Sequence, residues 1–376
     1  MKRFLYVFAV FIVLLIIPQT AYAEEADDYN AYLNQYDFSF MEELDGETYD
    51  LLDELGLTNF DYNTLVNFSM SDFLKSIKDV FKGAAQTPIE ACIAIFVFII
   101  LSSFFQNLKS TMINDEMSSV FSTVSALVIA VVLAVKMKTT ISLACTAISV
   151  CADFVFAFIP VFCIIVAASG NTVAAFSTNT MLLSLAQTLN YISKNIFVPI
   201  TNCFLAIGIC SGLRSELNLS SLLAFLKKYI TTAISMAAAG FVSVLSIKTA
   251  VAARADAIGL RSIRFAINSV VPVIGSAISE GLLSIQSYSS LIRSSVGVVG
   301  IIAVALVFMP AILEVVLWRF FLSLSCLVSD VFGDKSVSLV IKAFADAMLI
   351  MNVILILSMV TTIISIGILI AAKGST

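Results

Sequence analysis

The chain has 376 residues, of which 60% are hydrophobic and only 12% charged, and its mean hydropathy is +1.01. Soluble globular domains carry about 25% charged residues, so this composition excludes that class and indicates a multispanning helical membrane protein. The apolar runs are long and unbroken rather than alternating, which disfavours a β-barrel. The chain has no histidine, which removes the usual general base and the commonest metal ligand. The sequence therefore predicts an all-α polytopic fold.

Residues 1–23 have the features of a secretory signal peptide. Two basic residues precede an apolar core at 4–17, which is shorter than the roughly 20 residues that a membrane span needs. An A-x-A pattern at 21–23 predicts cleavage between Ala23 and Glu24, and the alternative is an uncleaved anchor helix. Under either interpretation, the chain from residue 24 onward begins outside the cytoplasm.

Residues 24–88 form a short acidic segment with fifteen acidic residues and three lysines. We expect short helices within it. Ser39 and Glu42 match a capping box whose helix Gly46 would stop, and Ser71 would cap a second helix. The segment is predicted to be extracytoplasmic, and the helix that begins at Ser71 is predicted to lie on the membrane surface or against a partner.

Residues 89–376 are predicted to form a polytopic membrane domain that crosses the bilayer six to eight times. A polar cluster at 136–140 separates two of the predicted spans, and the residues at 172–192 make a weak one. By the positive-inside rule the basic cluster at 248–264 should be cytoplasmic, but Lys136 and Lys138 conflict with that orientation, so the topology stays open. The candidate spans are 89–106, 118–135, 141–168, 172–192, 196–213, 229–247, 294–318 and 344–371.

The stretch 266–300 is apolar but too broken for an ordinary span. Pro272, Gly275 and Gly281 interrupt it, and Glu280 lies near its middle. Unsatisfied polar groups in hydrocarbon cost several kcal/mol each, so such a backbone is tolerated only inside protein or beside a wet cavity. Two interpretations stay open: an interfacial loop, or a re-entrant or broken-helix element at the functional centre.

Several residues at membrane depth are further candidates. Asp153 is either a pore-facing or proton-linked group or an interhelical hydrogen-bond partner, and Glu314 and Arg319 are expected to pair. The close-spaced Gly297 and Gly300 suit tight helix packing. The sequence contains no nucleotide-binding, hydrolase or metalloprotease motif. We therefore expect no enzymatic activity, no metal and no cofactor.

Five short runs carry a family resemblance. They are Ala252-Ala253-Arg254, Phe265-Ala266-Ile267-Asn268, Val271-Pro272-Val273-Ile274-Gly275, Leu291-Ile292-Arg293 and Val296-Gly297-Val298-Val299-Gly300. In these runs, and in Phe68-Ser69-Met70-Ser71-Asp72-Phe73-Leu74 before the first span, the chain resembles the stage III sporulation protein AE family of endospore-forming bacteria. The resemblance singles out Arg254, Asn268, Pro272 and Gly275, together with the glycine pair.

The resemblance implies a location and a set of partners. Proteins of this family lie in the mother-cell membrane that surrounds the forespore, and they act with the other subunits of the stage III channel complex. The implied function is that of a membrane subunit, a platform or a pore gate, needed for forespore development. An autonomous transporter for a small solute and a scaffold without a permeant are the alternatives. Homo-oligomerisation is left open, and no nucleic-acid partner is expected.

Overall fold

The computed structural model describes residues 25–60, 70–112, 115–170, 191–213, 219–270 and 275–371, with the single positions 181, 184 and 188. For residues 252–270 and 275–288 it describes the backbone alone. The predicted signal peptide and its cleavage site at Ala23 and Glu24 lie outside the described residues, as do Pro272 and most of the weak span 172–192. The elements are α1 (Glu25–Leu33), a 3₁₀ helix (Ser39–Glu43), α2 (Gly46–Glu54), α3 (Met70–Met112), α4 (Asp115–Ala168), a π-helical turn (Ser193–Phe197), α5 (Val198–Leu213), α6 (Ser220–Val270), α7 (Gly275–Val331) and α8 (Lys335–Ala371).

The predicted all-α polytopic class is confirmed. The described residues contain no strand, and six of their helices are long and apolar enough to cross a membrane. These six lie at Phe73–Phe104, Ser122–Ala168, Asn195–Leu213, Ser220–Val244, Ser289–Val331 and Lys335–Ile370.

Two predicted helix boundaries are wrong. The spans 118–135 and 141–168 belong to the single helix α4, because the polar residues at 136–140 interrupt hydropathy without interrupting the helix. Gly281 likewise lies inside the continuous helix α7, where a lone glycine costs only about 1 kcal/mol relative to alanine. Within the described part of the stretch 266–300, residues 266–270 end α6 and residues 275–300 belong to α7. Residue 88, the predicted domain boundary, falls within α3.

The N-terminal segment, residues 25–60, folds as a small helical unit. Asp45 caps α2 by accepting a hydrogen bond from the Thr48 amide. Gly56, at φ 69°, ends that helix, and the amide of Leu57 bonds to the carbonyl of Leu52 at 2.9 Å, a Schellman arrangement. The predicted capping box at Ser39 is wrong, since no side chain caps the 3₁₀ helix, and Gly46 begins the next helix instead of stopping one.

Polar contacts fix the directions of the long helices. Near the turn between α7 and α8, Ser102 of α3 and Ser122 of α4 both donate hydrogen bonds to the buried Asp334, at 2.6 and 2.9 Å. Toward the other end, Arg293 of α7 donates a hydrogen bond to Ser169, the residue directly after α4, at 3.2 Å. Helices α4 and α7 are therefore antiparallel and remain in contact from Asp334 to Arg293, about 60 Å at 1.5 Å per residue.

On α3, α4 and α7, large apolar side chains are exposed mainly in the half of each helix nearest Asp334. We call this zone the apolar belt. On α3 and on α4 it is about 23 Å tall, close to the roughly 30 Å hydrocarbon core of a bilayer. An ion pair between Glu90 and Lys136, 3.6 Å apart, lies at its border away from Asp334. The belt comprises Ile89, Ile93, Val97, Ile100, Leu101 and Phe104 of α3, Val120, Val124, Leu127, Val131 and Val135 of α4, and Phe320, Leu324, Leu327, Val331 and Phe332 at the end of α7.

Two glycines bring α5 against α8. Gly208 and Gly212 are four residues apart in sequence, the small-xxx-small spacing that permits close approach of membrane helices. A Cβ on Gly208 would overlap the side chain of Ala343. A Cβ on Gly212 would overlap Val340 and approach the Ser336 carbonyl at 3.0 Å. Neither position tolerates a larger side chain without moving backbone.

We predict that Gly212→Ala lowers stability by about 1–3 kcal/mol, because the added methyl group meets the backbone of α8. Gly240→Ala in α6 is the matched control. No atom lies within 4 Å of its added Cβ, so alanine there should be neutral or stabilising. Thermal unfolding of the purified protein in detergent would measure both. Equal melting temperatures for the two variants would contradict the assigned packing of α5 on α8.

Candidate functional site

The N-terminal segment is docked on α4 by aromatic packing. Three phenylalanines of α4 one turn apart stack on one another, with ring centroids 5.3 Å apart for Phe154 and Phe158 and 5.0 Å for Phe158 and Phe162. Phe40, from the 3₁₀ helix, meets Phe154 and Phe158 edge-on at 5.9 and 5.1 Å. All four rings are buried. Such edge-to-face pairs add about 0.5–1.5 kcal/mol to the burial of the rings themselves.

Residue Phe60 completes the docked unit. Its ring stacks on Phe38 at 4.5 Å, and its carbonyl accepts a buried hydrogen bond from the Tyr29 hydroxyl at 3.1 Å. Its backbone has φ 52°, a left-handed conformation that is uncommon for a bulky residue. The aromatic packing and the tyrosine hydrogen bond offset the cost of this conformation.

The glycine pair singled out in the sequence lies directly behind the stacked phenylalanines. A Cβ on Gly300 would come 2.7 Å from the ring of Phe158, and one on Gly297 would come 3.0 Å from the ring of Phe162. Residue Ile370 of α8 fills the rest of the space at Gly297. The two glycines therefore let α4 and α7 approach at the level where the N-terminal segment docks.

Polar groups join the segment to the end of α7. Tyr36 shares a side-chain hydrogen bond with Ser289, and burial raises the pKa of Tyr36, so its hydroxyl stays neutral. One turn along α7, Arg293 is 3% exposed, and its guanidinium donates hydrogen bonds to Ser169 and Ser290 at 3.2 and 3.4 Å. The part of α7 that begins at Ser289, where its side chains are first described, is thus a buried polar junction.

A charged cleft of about 750 Å³ separates the N-terminal segment from the bundle. Glu47 and Glu54 line it from α2, and Lys75, Asp79 and Glu314 line it from the long helices. Charged groups of both signs at this level require water, since unpaired charges in hydrocarbon are costly. The cleft begins just beyond the Glu90 to Lys136 border of the apolar belt.

The expected pair of Glu314 and Arg319 does not form. Residues five apart on a helix point to different faces, because neighbours on one face are three or four apart. Glu314 instead accepts a hydrogen bond from Thr140 at 2.5 Å, and Thr140 accepts one from the Trp318 indole at 2.8 Å. Arg319 is exposed and lines a groove between α7 and α8.

The remaining sequence candidates divide into two groups. Asp153 is exposed on α4 beside the stacked phenylalanines, thirteen residues beyond Thr140 and therefore outside the apolar belt. The other group has no described side chains. Arg254 and Asn268 lie in α6, Gly275 is the first residue of α7, and Glu280 follows in its second turn. Side-chain contacts of this second group lie outside the part of the chain that the structure describes.

Sequence reasoning missed Asp334 and the Gly208 and Gly212 pair. The small-xxx-small spacing was visible in the sequence, and so was an acid directly after Gly333 at a helix start. Asp334 does cap α8, accepting a hydrogen bond from the Val337 amide at 3.2 Å. Its burial under α3 and α4 depends on tertiary packing, which no local pattern reveals.

Comparison with known proteins identifies the family. The family model for stage III sporulation protein AE matches residues 59–373, most of the chain. The chain belongs to this family. A relative named stage III sporulation protein AE, from Bacillus subtilis (strain 168), is 28% identical over 173 residues, which cover 46% of this chain and 43% of that protein. The match thus spans less than half of the relative's length. No solved structure matches the chain significantly.

The family assignment supports a multi-pass membrane protein of sporulation. The matched region begins at residue 59, so it includes the stacked phenylalanines, the glycine pair and Asp334 but not Phe40. The docking site on α4 and α7 lies inside the region that the family model matches. Most of the N-terminal segment that occupies this site precedes the matched region.

We predict that Phe40→Ala releases the N-terminal segment from the bundle. Replacing a buried phenylalanine by alanine lowers stability by about 3–5 kcal/mol, and here the substitution removes the contact with Phe154 and Phe158. Limited proteolysis of the purified protein should then cut within residues 25–60 much faster than in the wild type. Tyr49→Ala, at a half-exposed ring of α2, is the control and should leave the cleavage rate nearly unchanged. If Phe40→Ala is cut no faster than this control, the aromatic contact does not hold the segment.

Proposed function

We propose that this chain is a membrane subunit of the channel that joins mother cell and forespore, and that it acts there as a platform. The apolar belt crosses the mother-cell membrane. The half of the bundle beyond the Glu90 to Lys136 border extends outside the cytoplasm, into the space that faces the forespore. The N-terminal segment is held on this outer half, where other subunits of the complex meet it.

The observation that carries the proposal is the position of the acidic segment. Its exposed acids cannot lie in hydrocarbon, because each charge there costs roughly 2.5–3.5 kcal/mol even on membrane-insertion scales, which give the lowest values. The same segment packs its Phe40 directly on Phe154 and Phe158. That stretch of α4 must therefore be outside the hydrocarbon on the docked side. The exposed acids of the segment are Asp37, Glu42, Glu43, Glu47, Asp50, Asp53 and Glu54.

Helix length supports the same arrangement. The contact between α4 and α7 is about 60 Å long, twice the hydrocarbon thickness, so a tilt of ordinary size cannot place all of it in the bilayer. Exposed large apolar residues are also dense on α4 up to Val135, but beyond Lys136 they are few: Leu143, Phe156 and Ile164. This change in surface is what a membrane border requires.

A platform fits the packing better than an autonomous transporter does. Alternating access needs two halves that rock against each other about a central site. Here α4 and α7 interlock through Gly297 and Gly300 with Phe158 and Phe162, and they are also joined at Asp334 and Arg293. Interlocking along the whole contact favours a rigid body.

Cysteine labelling tests the proposed position. Cys203 and Cys210, the two exposed native cysteines, would be replaced by serine, and single cysteines placed at Asp153, Glu43 and Val97. In right-side-out membrane vesicles we expect an impermeant maleimide to label positions 153 and 43 and to leave position 97, in the belt, unlabelled. Labelling of 153 only in inverted vesicles would refute the proposed orientation, and protection of 153 in both preparations would show that this level lies in the bilayer.

The purified chain in liposomes distinguishes the platform from a transporter. If the chain is a platform, liposomes that contain it should show no solute flux above that of empty liposomes. In cells, Phe40→Ala should reduce sporulation while the protein still accumulates in the membrane. Flux by the wild-type chain alone would favour the transporter.

A further inference from the structure

A groove of about 560 Å³ runs between the end of α7 and the beginning of α8, at the level of the apolar belt. The two helices meet there as an antiparallel pair across a tight turn, with Gly333 at φ 78°. Leu327 of α7 and Leu339 and Ala345 of α8 form its apolar walls. Leu324 and Val331 of the belt are exposed beside it. The groove thus opens toward the lipid-facing surface.

The groove carries an excess of positive charge. Arg319, Lys335 and Lys342 line it and are exposed, whereas its acids are Asp330 and Asp346. Both acids have partners: Ser338 donates to Asp330 at 2.5 Å, and Lys227 of α6 lies 2.6 Å from Asp346. Within the part of the chain that the structure describes, none of the three groove cations has a carboxylate within ion-pair distance.

Two of the cations lie at the depth of a lipid headgroup. Lys335 directly follows Asp334 at the end of the belt, and Lys342 lies two turns further along α8, about 10 Å away. Lys342 is also the one exposed residue that the structure describes between 336 and 370 of α8. A lysine ammonium within hydrocarbon extends along its flexible stem toward the membrane border, which here is the Lys335 end. Both ammonium groups can therefore approach one anion.

We propose that this groove binds an anionic phospholipid of the leaflet nearest Asp334, with the lipid phosphate between Lys335 and Lys342. Basic pockets between membrane helices commonly hold such headgroups. The acyl chains cover the walls at Leu327 and Leu339, which a free phosphate ion would leave bare. This inference is independent of the proposed platform function.

The test uses the full chain, purified in a neutral detergent, and the double variant Lys335→Gln, Lys342→Gln. Addition of dioleoyl phosphatidylglycerol should raise the melting temperature of the wild type by several degrees, because binding to the folded state stabilises it. Dioleoyl phosphatidylcholine and inorganic phosphate should each have little effect. In the double variant the phosphatidylglycerol shift should fall by at least half, with an affinity about tenfold weaker by native mass spectrometry.

Two control variants separate the site from net charge and from folding. Lys138→Gln removes a cation from α4 and should keep the full shift. Lys335→Arg with Lys342→Arg preserves both charges and should keep most of it. The proposal is overturned if the glutamine double variant retains the wild-type shift, if phosphatidylcholine stabilises as well as phosphatidylglycerol, or if inorganic phosphate reproduces the shift. A double variant that fails to fold is distinguished by circular dichroism, and the arginine variant then decides the result through its response to the three additives.

Discussion

The structure depends on one mismatch of lengths. Helices α4 and α7 stay in contact for about 60 Å, while a bilayer offers about 30 Å of hydrocarbon. Lipid can cover the outside of only part of this contact, so the rest must bury its own apolar surface within protein. This constraint explains why α3, α4 and α7 expose many large apolar residues around the belt and only a few beyond it.

Close packing beyond the belt is obtained by pairing small residues with large ones. Gly300 lies against Phe158 and Gly297 against Phe162, so two helix backbones approach across a row of aromatic rings. Phe40 then covers the other side of that row. The N-terminal segment is thus part of the core of this half, and its acids remain on the outside. A larger residue at Gly300 should therefore weaken the docking of the N-terminal segment, although that segment is far away in sequence.

Composition was enough to predict the class, and hydropathy was enough to locate most of the membrane helices. Helix ends were predicted poorly where charged residues interrupt an apolar run, as at Lys136, because a lysine that breaks hydropathy does not break a helix. Asp346 shows the same effect: hydropathy suggested a helix start near 344, but α8 begins at Lys335 and Asp346 pairs with Lys227 of another helix. Docking of the acidic segment was beyond prediction, since it joins Phe40 to rings more than a hundred residues away. The glycine pair could be singled out because close spacing of glycines in an apolar helix has a local physical meaning.

Charged residues in the bundle are sorted by level, and the sorting connects the two proposals. On the side of Glu90 and Lys136 away from the belt, charges of both signs line an open cleft, which suits water. At the Asp334 end the carboxylates are satisfied by hydroxyl groups and a backbone amide, while exposed lysines remain at the surface. A rigid body with a water-exposed acidic unit at one end and lipid-binding cations at the other has a fixed depth in the membrane. If partners assemble on the outer half as proposed, a fixed depth is what lets one membrane subunit present that surface at a constant height.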